Sequence, residues 1–485
     1  MLPQVVILSA EEREGSGRCV GMPPPRSFAV YAAQDDSTLR AMASLRREIG
    51  MWRGVALNMI DMVGIGPFIT LPLILSAMGG ARCMVAWLMA GLLAIADGLV
   101  TAELGAEMPH AGGSYVFLRE SYGRAGRLMS FLFLFQLLIS SPLSMASGCI
   151  GFAQYFARLV PATANYESLT ATGICIVITV LLMRRIDSIG RFSILLWIGV
   201  MLTIVLIIGV GVPHLKLSAF QFWSAPRFDT RLGYAGFGTA LILAVYDYLG
   251  YYNIAYLGDE VKEPEKTIPR VIVISILTIA AVYIVMQASM ISVLPMKVAM
   301  TSKFVVADYM ETLIGPRAAR SITVLILWTA FASIFSVMLG YSRVLFAAAR
   351  DGNFFAIFAK LHPTQAYPFV AVGFLGVVAS IFCWLPLRTV VAGIVSIRSI
   401  IPFMAQIIGA VVLRHTQPDR RRPFRMWLYP LPAIVALGLW SKVAISPEKG
   451  LRIGALYVIA AGVVFFLVRE LLLRRVKTAP ANPEH

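Results

Sequence analysis

Long apolar runs recur along the whole sequence, and they constrain its fold more than any other feature. About twelve such runs begin near Val55, Met84, Met129, Leu169, Phe192, Tyr234, Val271, Ile322, Val370, Val390, Met426 and Ile453. A helix needs about 20 apolar residues to cross a bilayer. Because the hydrocarbon core offers the backbone no water, each run is expected to be helical. The pattern predicts an all-α polytopic membrane protein with about 12 transmembrane helices.

The composition agrees with a chain that lies mostly in lipid. Hydrophobic residues make up 58% of the 485 residues, and charged residues make up 14%. The mean hydropathy is +0.77. Because a soluble domain carries about 25% charged residues, the chain has little room for a large soluble domain beside its spans. The eleventh run is the weakest, since Trp440, Ser441 and Lys442 leave only a short apolar stretch.

Basic residues lie in alternate loops rather than in one block. The formal net charge is +16, and the Lys- and Arg-rich loops fall near residues 46–53, 119–127, 184–191, 262–270, 343–360, 414–425 and 469–477. Loops of this kind stay in the cytoplasm, which explains the charge without a nucleic-acid partner. An even number of spans then places both termini in the cytoplasm. We expect a multi-pass protein of the cytoplasmic membrane, surrounded by membrane lipid.

This topology divides the chain into three segments. Residues 1–50 contain acidic residues and a proline run at Pro23 to Pro25, and they lack the basic and apolar regions of a signal peptide. We expect a disordered cytoplasmic N-terminal tail there. Residues 51–476 form the predicted transmembrane domain, in which residues 426–474 supply two additional C-terminal helices. Residues 477–485 form a predicted cytoplasmic C-terminal tail.

The sequence offers no pattern of a metal, cofactor or catalytic site. Its five cysteines show no metal or redox spacing. Its five histidines lie in loops or at the terminus, without a ligand partner at helical spacing. A phosphate-binding Gly-Lys-Thr motif does not occur either, which disfavours ATP-driven transport. We therefore expect no metal, no cofactor and no enzymatic activity.

The first span contains a group of residues that interrupts a helix. Val63, Gly64, Ile65, Gly66 and Pro67 follow one another in mid-membrane, and glycine and proline are the poorest helix formers. We expect the helix to unwind there. Unwound backbone at membrane depth occurs only where it is buried in protein or lines a cavity. A packing kink is the simpler alternative.

The sixth span contains a second such group, with Tyr246, Asp247, Tyr248, Gly250 and Tyr251 close together. The first and sixth spans open two predicted five-helix repeats of opposite orientation, at about residues 54–213 and 232–413. Interrupted helices at matching places of inverted repeats indicate a transport site. Freed N–H groups can bind a carboxylate, and freed carbonyls, an acid or tyrosine rings can bind an ammonium group. The two breaks together predict a site for a zwitterion.

Five short motifs, in order along the chain, resemble the amino acid–polyamine–organocation (APC) superfamily of transporters. They cover residues 55–432 and comprise Val63 to Phe68; Thr101 to Pro109 with Ala111 to Tyr115; Tyr248 to Tyr251 with Gly258 to Pro264 and Pro269; Tyr341 to Arg343 with Ala349 to Gly352; and Leu413 and Arg414 with Arg422 to Arg425.

The resemblance implies a LeuT-like fold of five plus five inverted helices, followed by two C-terminal helices. It also implies capture of a substrate carboxylate by backbone groups of span one, and side-chain recognition at span six. Two departures from the family pattern are informative. Residues 192–198 of span five lack the lysine of many proton-coupled relatives, which leaves the coupling ion open. Span six has Asp247 and Tyr252 where polyamine carriers often have Asn and Asp, which leaves polyamine specificity open.

Charged side chains inside apolar runs are the remaining candidates. Asp61, Asp97, Asp247 and Arg398 lie well within such runs, where a charge costs about 2.5–3.5 kcal/mol. Asp61 and Asp97 share a predicted depth, and we assign them to coupling or gating. Arg398 is predicted to pair with Asp247 as a gate or a structural lock. Glu103 lies nearer the cytoplasmic end, so gating and the pinning of a loop are both open.

These features predict a secondary active transporter that moves an amino acid or related amine by alternating access, as a symporter or an exchanger. Its expected partners are that small molecule and a coupling cation, for which we favour a proton over sodium. A polyamine carrier of the same fold is one alternative. A membrane-embedded transferase is another, but it would need convergent acidic, basic or histidine groups at one membrane face.

The predicted topology can be tested at the loop with the most basic residues. A single cysteine placed beside Arg421 should resist a membrane-impermeant maleimide in intact cells and react after permeabilisation, because this loop is expected in the cytoplasm. Equal labelling before and after permeabilisation would reverse the orientation.

Overall fold

The computed structural model describes residues 47–80, 82–183, 189–215, 230–362 and 367–478. In this part of the chain the regular structure is helical, apart from one isolated bridge between Ile49 and Val261. The α-helices are α1 (Met51–Met62), α2 (Gly66–Met78), α3 (Cys83–Glu107), α4 (Ser114–Ser121), α5 (Gly126–Leu159), α6 (Glu167–Leu182), α7 (Ile189–Gly211), α8 (Thr230–Tyr248), α9 (Asn253–Tyr256), α10 (Pro264–Val293), α11 (Met296–Thr301), α12 (Val305–Ile314), α13 (Pro316–Arg350), α14 (Phe369–Phe382), α15 (Leu387–Arg398), α16 (Gln406–Thr416), α17 (Leu431–Ile445) and α18 (Lys449–Thr478).

The helices are long and apolar enough for a polytopic membrane protein. Among the described residues, 8 helical segments could each cross a bilayer, and the bent pair α1 and α2 raises the number to 9. Two shorter apolar helices, Phe369–Phe382 and Leu431–Ile445, accompany them. The predicted all-α polytopic class is confirmed. The count of twelve and the five-plus-five repeat stay predictions, and most of both predicted tails lies outside the described residues.

The predicted break in the first span is present. The α1 helix ends at Met62, the α2 helix begins at Gly66, and their axes differ by 40°. Pro67 lies in the first turn of α2, where a missing N–H group costs nothing because that group has no partner within the helix. Glycine and proline therefore interrupt one helix and start the next.

The predicted break in the sixth span is also present. The α8 helix ends at Tyr248, and the single-turn α9 helix begins at Asn253. Gly250 has a φ of 114°, a value that residues with a side chain rarely adopt. The turn at Gly250 also lies against α1, because a Cβ atom there would approach the Asp61 carbonyl carbon to 2.9 Å. The two breaks are thus in direct contact.

Side chains of neighbouring helices provide hydrogen bonds to the broken backbone. The Asn58 amide donates to the Tyr251 carbonyl at 2.6 Å and accepts from the Ile254 N–H at 2.9 Å. The Tyr283 hydroxyl of α10 donates to the Met62 carbonyl at 2.7 Å. Buried backbone groups without a partner are costly, so these bonds stabilise both breaks inside the membrane.

Ion pairs collect at the end of the bundle where α1 begins, which we call the basic face. Glu103 of α3 forms a two-armed pair with Arg414 of α16 and accepts the Met426 N–H at 2.5 Å. Arg420 pairs with Glu107 at 2.7 Å. These contacts place Glu103 in a cluster that holds the loop after α16, which agrees with the pinning role that the sequence leaves open.

The segment before α1 pairs with the chain that comes after α9 on the same face. The Lys262 N–H donates to the Ile49 carbonyl at 2.9 Å, and the Ile49 N–H donates to the Glu260 carbonyl at 2.9 Å. Arg343 of α13 holds the Glu260 carboxylate at 3.0 Å. The two broken spans are therefore joined on the basic face as well as at their breaks.

The Asn58 bonds give a stability prediction. Asn58→Ala removes the partners of two buried backbone groups, each of which costs about 1–3 kcal/mol when left unpaired. We expect a clear fall in the melting temperature of the purified protein in detergent. Thr170→Ala is the matched control, because the Thr170 hydroxyl bonds the Tyr166 carbonyl one turn back on an exposed surface. Equal shifts for both variants would contradict this role of Asn58.

Candidate functional site

A cavity of about 60 Å³ lies where the two breaks meet. Helices from several parts of the chain surround it, and most of its lining comes from the breaks themselves. The lining residues are Asp61, Met62, Gly64, Ile65, Gly66, Pro67, Ser144, Ser147, Gly148, Tyr246, Asp247, Leu249, Gly250, Tyr252, Ser333, Val337, Tyr341 and Arg398. Seven of the ten residues predicted for substrate binding belong to this lining.

One wall of the cavity carries unpaired backbone donors. The Val63 N–H completes α1 by donating to the Met59 carbonyl at 2.8 Å. Among the described residues, the N–H groups of Gly64 and Ile65 have no backbone acceptor. They stand just before the first turn of α2, where the helix dipole adds a partial positive charge. This arrangement can bind an anionic oxygen.

Asp247 lies next to this wall. Its Oδ2 atom accepts a hydrogen bond from the Thr70 hydroxyl of α2 at 2.5 Å. Its Oδ1 atom has no partner among the described residues, although the side chain is 2% exposed. Gly66 makes this approach possible, because a Cβ atom at that position would collide with Oδ1 and lie 3.0 Å from the Tyr246 ring.

Two of the predicted tyrosines do not line the cavity. Tyr248 packs edge-on against Tyr283 at 5.3 Å and lies near Gly91 of α3. Tyr251 donates its hydroxyl proton to Asp97. Neither residue belongs to the cavity lining in this conformation, because their positions in α8 and in the turn at Gly250 direct them toward α3 and α10. Their predicted role at the amine end stays a prediction. Val63 is also buried outside the lining.

The predicted pair of Arg398 and Asp247 is also absent, and that prediction is wrong for this conformation. Arg398 donates to the Tyr252 hydroxyl at 2.8 Å and stacks over the Tyr341 ring at 4.9 Å. Asp247 instead bonds Thr70. The physical reason is the break in the sixth span. Asp247 lies before this break and contacts α2, whereas Tyr252, which bonds Arg398, lies after Gly250 on the way to the basic face.

Asp61 and Asp97 occupy different environments. Asp61 lines the cavity and interacts electrostatically with Arg398. Asp97 is fully buried in α3 beside Tyr251, outside the cavity lining. Tyr251, which bonds Asp97, packs against Tyr252 with ring centroids 5.2 Å apart, and Tyr252 lines the same cavity as Asp61.

Serines of α5 and α13 complete the cavity, and sequence reasoning missed them. Ser144 and Ser147 lie one turn apart in α5, and Ser147 accepts a hydrogen bond from the Tyr246 hydroxyl at 2.8 Å. Ser333 approaches Gly64, where a Cβ atom would lie 3.1 Å from its hydroxyl oxygen. Their clustering in otherwise apolar spans is the signal that could have found them.

Comparison with known proteins gives one family over most of the chain. The family described as amino acid permease matches residues 49–468. The chain is similar to the branched-chain amino acid permease BcaP of Bacillus subtilis, at 26% identity over 79% of this chain and 84% of the relative. The serine/threonine exchanger SteT of the same organism is 26% identical over 81% and 89%. The human cystine/glutamate transporter is 25% identical over 83% and 80%.

A cavity between two broken spans, with backbone donors on one wall and an acid on the next, is the arrangement expected for transport of a zwitterion. The family match covers far more than half of the chain. The protein belongs to the amino acid permease family.

Proposed function

We propose that this protein is a secondary active transporter of an amino acid in the cytoplasmic membrane, with both termini in the cytoplasm. The observation that carries the proposal is that one cavity is lined both by Gly64 and Ile65, whose N–H groups have no backbone acceptor among the described residues, and by Asp247, whose Oδ1 atom has no partner there. An α-amino acid carries its ammonium group on the carbon next to its carboxylate, so one molecule can bond both the N–H donors and the Asp247 oxygen.

In this arrangement the substrate carboxylate binds at the start of α2, and the ammonium group binds Asp247. Ser144, Ser147 and Ser333 line the same space. Their hydroxyl groups donate to backbone carbonyls of their own helices, and their oxygen atoms can still accept a hydrogen bond from a substrate side chain. A polyamine has no carboxylate and would leave the donors at Gly64 and Ile65 without an acceptor. This favours an amino acid over the polyamine alternative.

The activities named for the relatives guide the choice of substrate to test. They include a branched-chain amino acid permease, a serine/threonine exchanger and a cystine/glutamate transporter. We therefore select L-leucine, L-serine and L-glutamate as a first panel for uptake by proteoliposomes.

We further propose a proton as the coupling ion, with Asp97 as a site outside the cavity. Asp97 accepts the Tyr251 hydroxyl proton, and the backbone carbonyl of Tyr251 is bonded to Asn58 of α1. A change in the protonation of Asp97 would therefore act on Tyr251, the residue through which the second break is bonded to α1. Asp61, which lines the cavity beside Arg398, is the second candidate in this coupling role.

The substrate site is tested at Gly66. In Gly66→Ala the added methyl group would displace Asp247, so we expect uptake of the best panel substrate to fall at least about tenfold, equivalent to about 1.4 kcal/mol. Gly173→Ala is the matched control, because Gly173 of α6 has open space around it. Normal uptake by a correctly inserted Gly66→Ala protein would contradict the assignment.

The coupling site is tested by pH dependence. Asp97→Asn keeps the size of the side chain and removes its titration, so we expect uptake that no longer responds to an imposed pH gradient. Tyr251→Phe should weaken the response, and Asp259→Asn, at the basic face, should leave it intact. An unchanged pH profile in Asp97→Asn would exclude proton coupling at this residue.

A further inference from the structure

Arg398 is the one cationic side chain in the cavity lining, and its surroundings leave its hydrogen-bonding capacity partly unused. The residue is 4% exposed. A guanidinium group offers five N–H donors, yet its partners here are the Tyr252 hydroxyl and the face of the Tyr341 ring. Neither partner is a carboxylate. The Nη2 atom has no acceptor among the described residues.

An arginine in this state is costly deep in a membrane protein. A buried charge is stabilised when a counter-ion and its hydrogen bonds are present, and a two-armed contact with a carboxylate is the strongest arrangement. Asp61 lies in the same cavity and interacts electrostatically with Arg398, but no hydrogen bond joins the two side chains. The guanidinium is therefore open to an additional anionic group.

Arg398 also borders two empty spaces. One is the main cavity of about 60 Å³. The other is a second void of about 10 Å³, whose lining includes Ser114, Ser140 and Tyr256. Arg398 and Tyr252 line both spaces. Ser114 opens α4, whose Arg119 pairs with Asp351 among the ion pairs of the basic face. The second void thus lies on the basic-face side of Arg398.

The backbone beside Arg398 is irregular. The α15 helix ends at Arg398, and residues Ser399–Ala405 form a π-helix that contains Pro402. Short π-helical segments are rare and often occur at functional sites, and a proline within a helix removes one hydrogen bond. Pro402 and Phe403 of this segment line the second void. The side chain that lines both spaces is therefore attached to a segment with weakened helical bonding.

We propose that Arg398 is a second carboxylate subsite, which takes the substrate carboxylate from the donors at Gly64 and Ile65 as the amino acid moves toward the basic face. This inference rests on the proposed function. In the observed state the guanidinium, with Tyr252 and Tyr341, closes the cavity floor. As the second void opens, the free Nη2 atom binds the carboxylate, and the two tyrosines retain the arginine in position.

The subsite predicts an asymmetric effect of substitution. Arg398→Met should raise the KM for entry from the basic face at least about tenfold, which corresponds to about 1.4 kcal/mol. The KM for entry from the opposite face should change less than about threefold, because the donors at Gly64 and Ile65 remain. Arg398→Lys should raise the same KM less than Arg398→Met does, since lysine keeps the charge and loses the two-armed contact.

The measurement uses right-side-out and inside-out membrane vesicles that contain the full chain, with labelled L-leucine, L-serine and L-glutamate as probes. Arg127→Met is the control, because Arg127 is half exposed and pairs with Glu470 on the surface. Ser140→Val is a second test that leaves the arginine intact, since its added carbon atoms would fill the small void. It should give the same asymmetry.

The outcomes separate this inference from the proposed function. If the unmodified protein transports none of the three probes, the proposed function and the subsite both fail. If it transports one of them, and Arg398→Met changes KM equally from both faces or from neither, only the subsite is wrong. If Arg398→Met fails to insert, the decision passes to Arg398→Lys and Ser140→Val, and symmetric kinetics in both would overturn the inference.

Discussion

The structure depends on one requirement of the lipid environment, which is that a polar backbone group inside the membrane must have a partner. Two spans give up part of their helical bonds at their midpoints. Asn58 and Tyr283 then supply bonds that the helices no longer make, and these side chains come from α1 and α10. The neighbouring helices are therefore needed for the breaks to exist, as well as for packing.

This requirement also explains where the site lies. Two carbonyl groups that flank the first break are occupied, since Met62 accepts from Tyr283 and Pro67 accepts from Gln287 at 3.3 Å. Among the described residues, the N–H groups of Gly64 and Ile65 have no backbone acceptor, and both residues line the cavity. Because these carbonyl acceptors are bonded and the N–H donors are not, the backbone of the first break has a partial positive charge toward a ligand. In the proposed function, the substrate carboxylate is the partner of these N–H groups.

The class of fold and the positions of both breaks could be predicted from the sequence, because apolar runs and Gly-Pro clusters act locally. Side-chain direction could not. Asp247, Tyr248 and Tyr251 are near neighbours in the chain, yet of these three only Asp247 lines the cavity. Tyr248 is the next residue of the same helix and so points in another direction, and the turn at Gly250 redirects Tyr251. The predicted pairing of Arg398 with Asp247 assumes that both residues lie at a similar depth on neighbouring helices, and a depth counted along a straight helix is not valid beyond a break. The serines of α5 and α13 are likewise defined by tertiary packing.

The short pairing between Ile49 and Val261 has a mechanical consequence. Ile49 closely precedes α1, and Val261 comes directly after the turn that ends α9. Backbone bonds join the segments around Ile49 and Val261 on the basic face, and Asn58 joins α1 to the second break. Because α1 and the chain around α9 are connected at two separate points, they are constrained to tilt together. The number of independent moving parts around the cavity is thereby reduced, and a force applied to the chain just before α1 is transmitted to the sixth span without passing through the substrate.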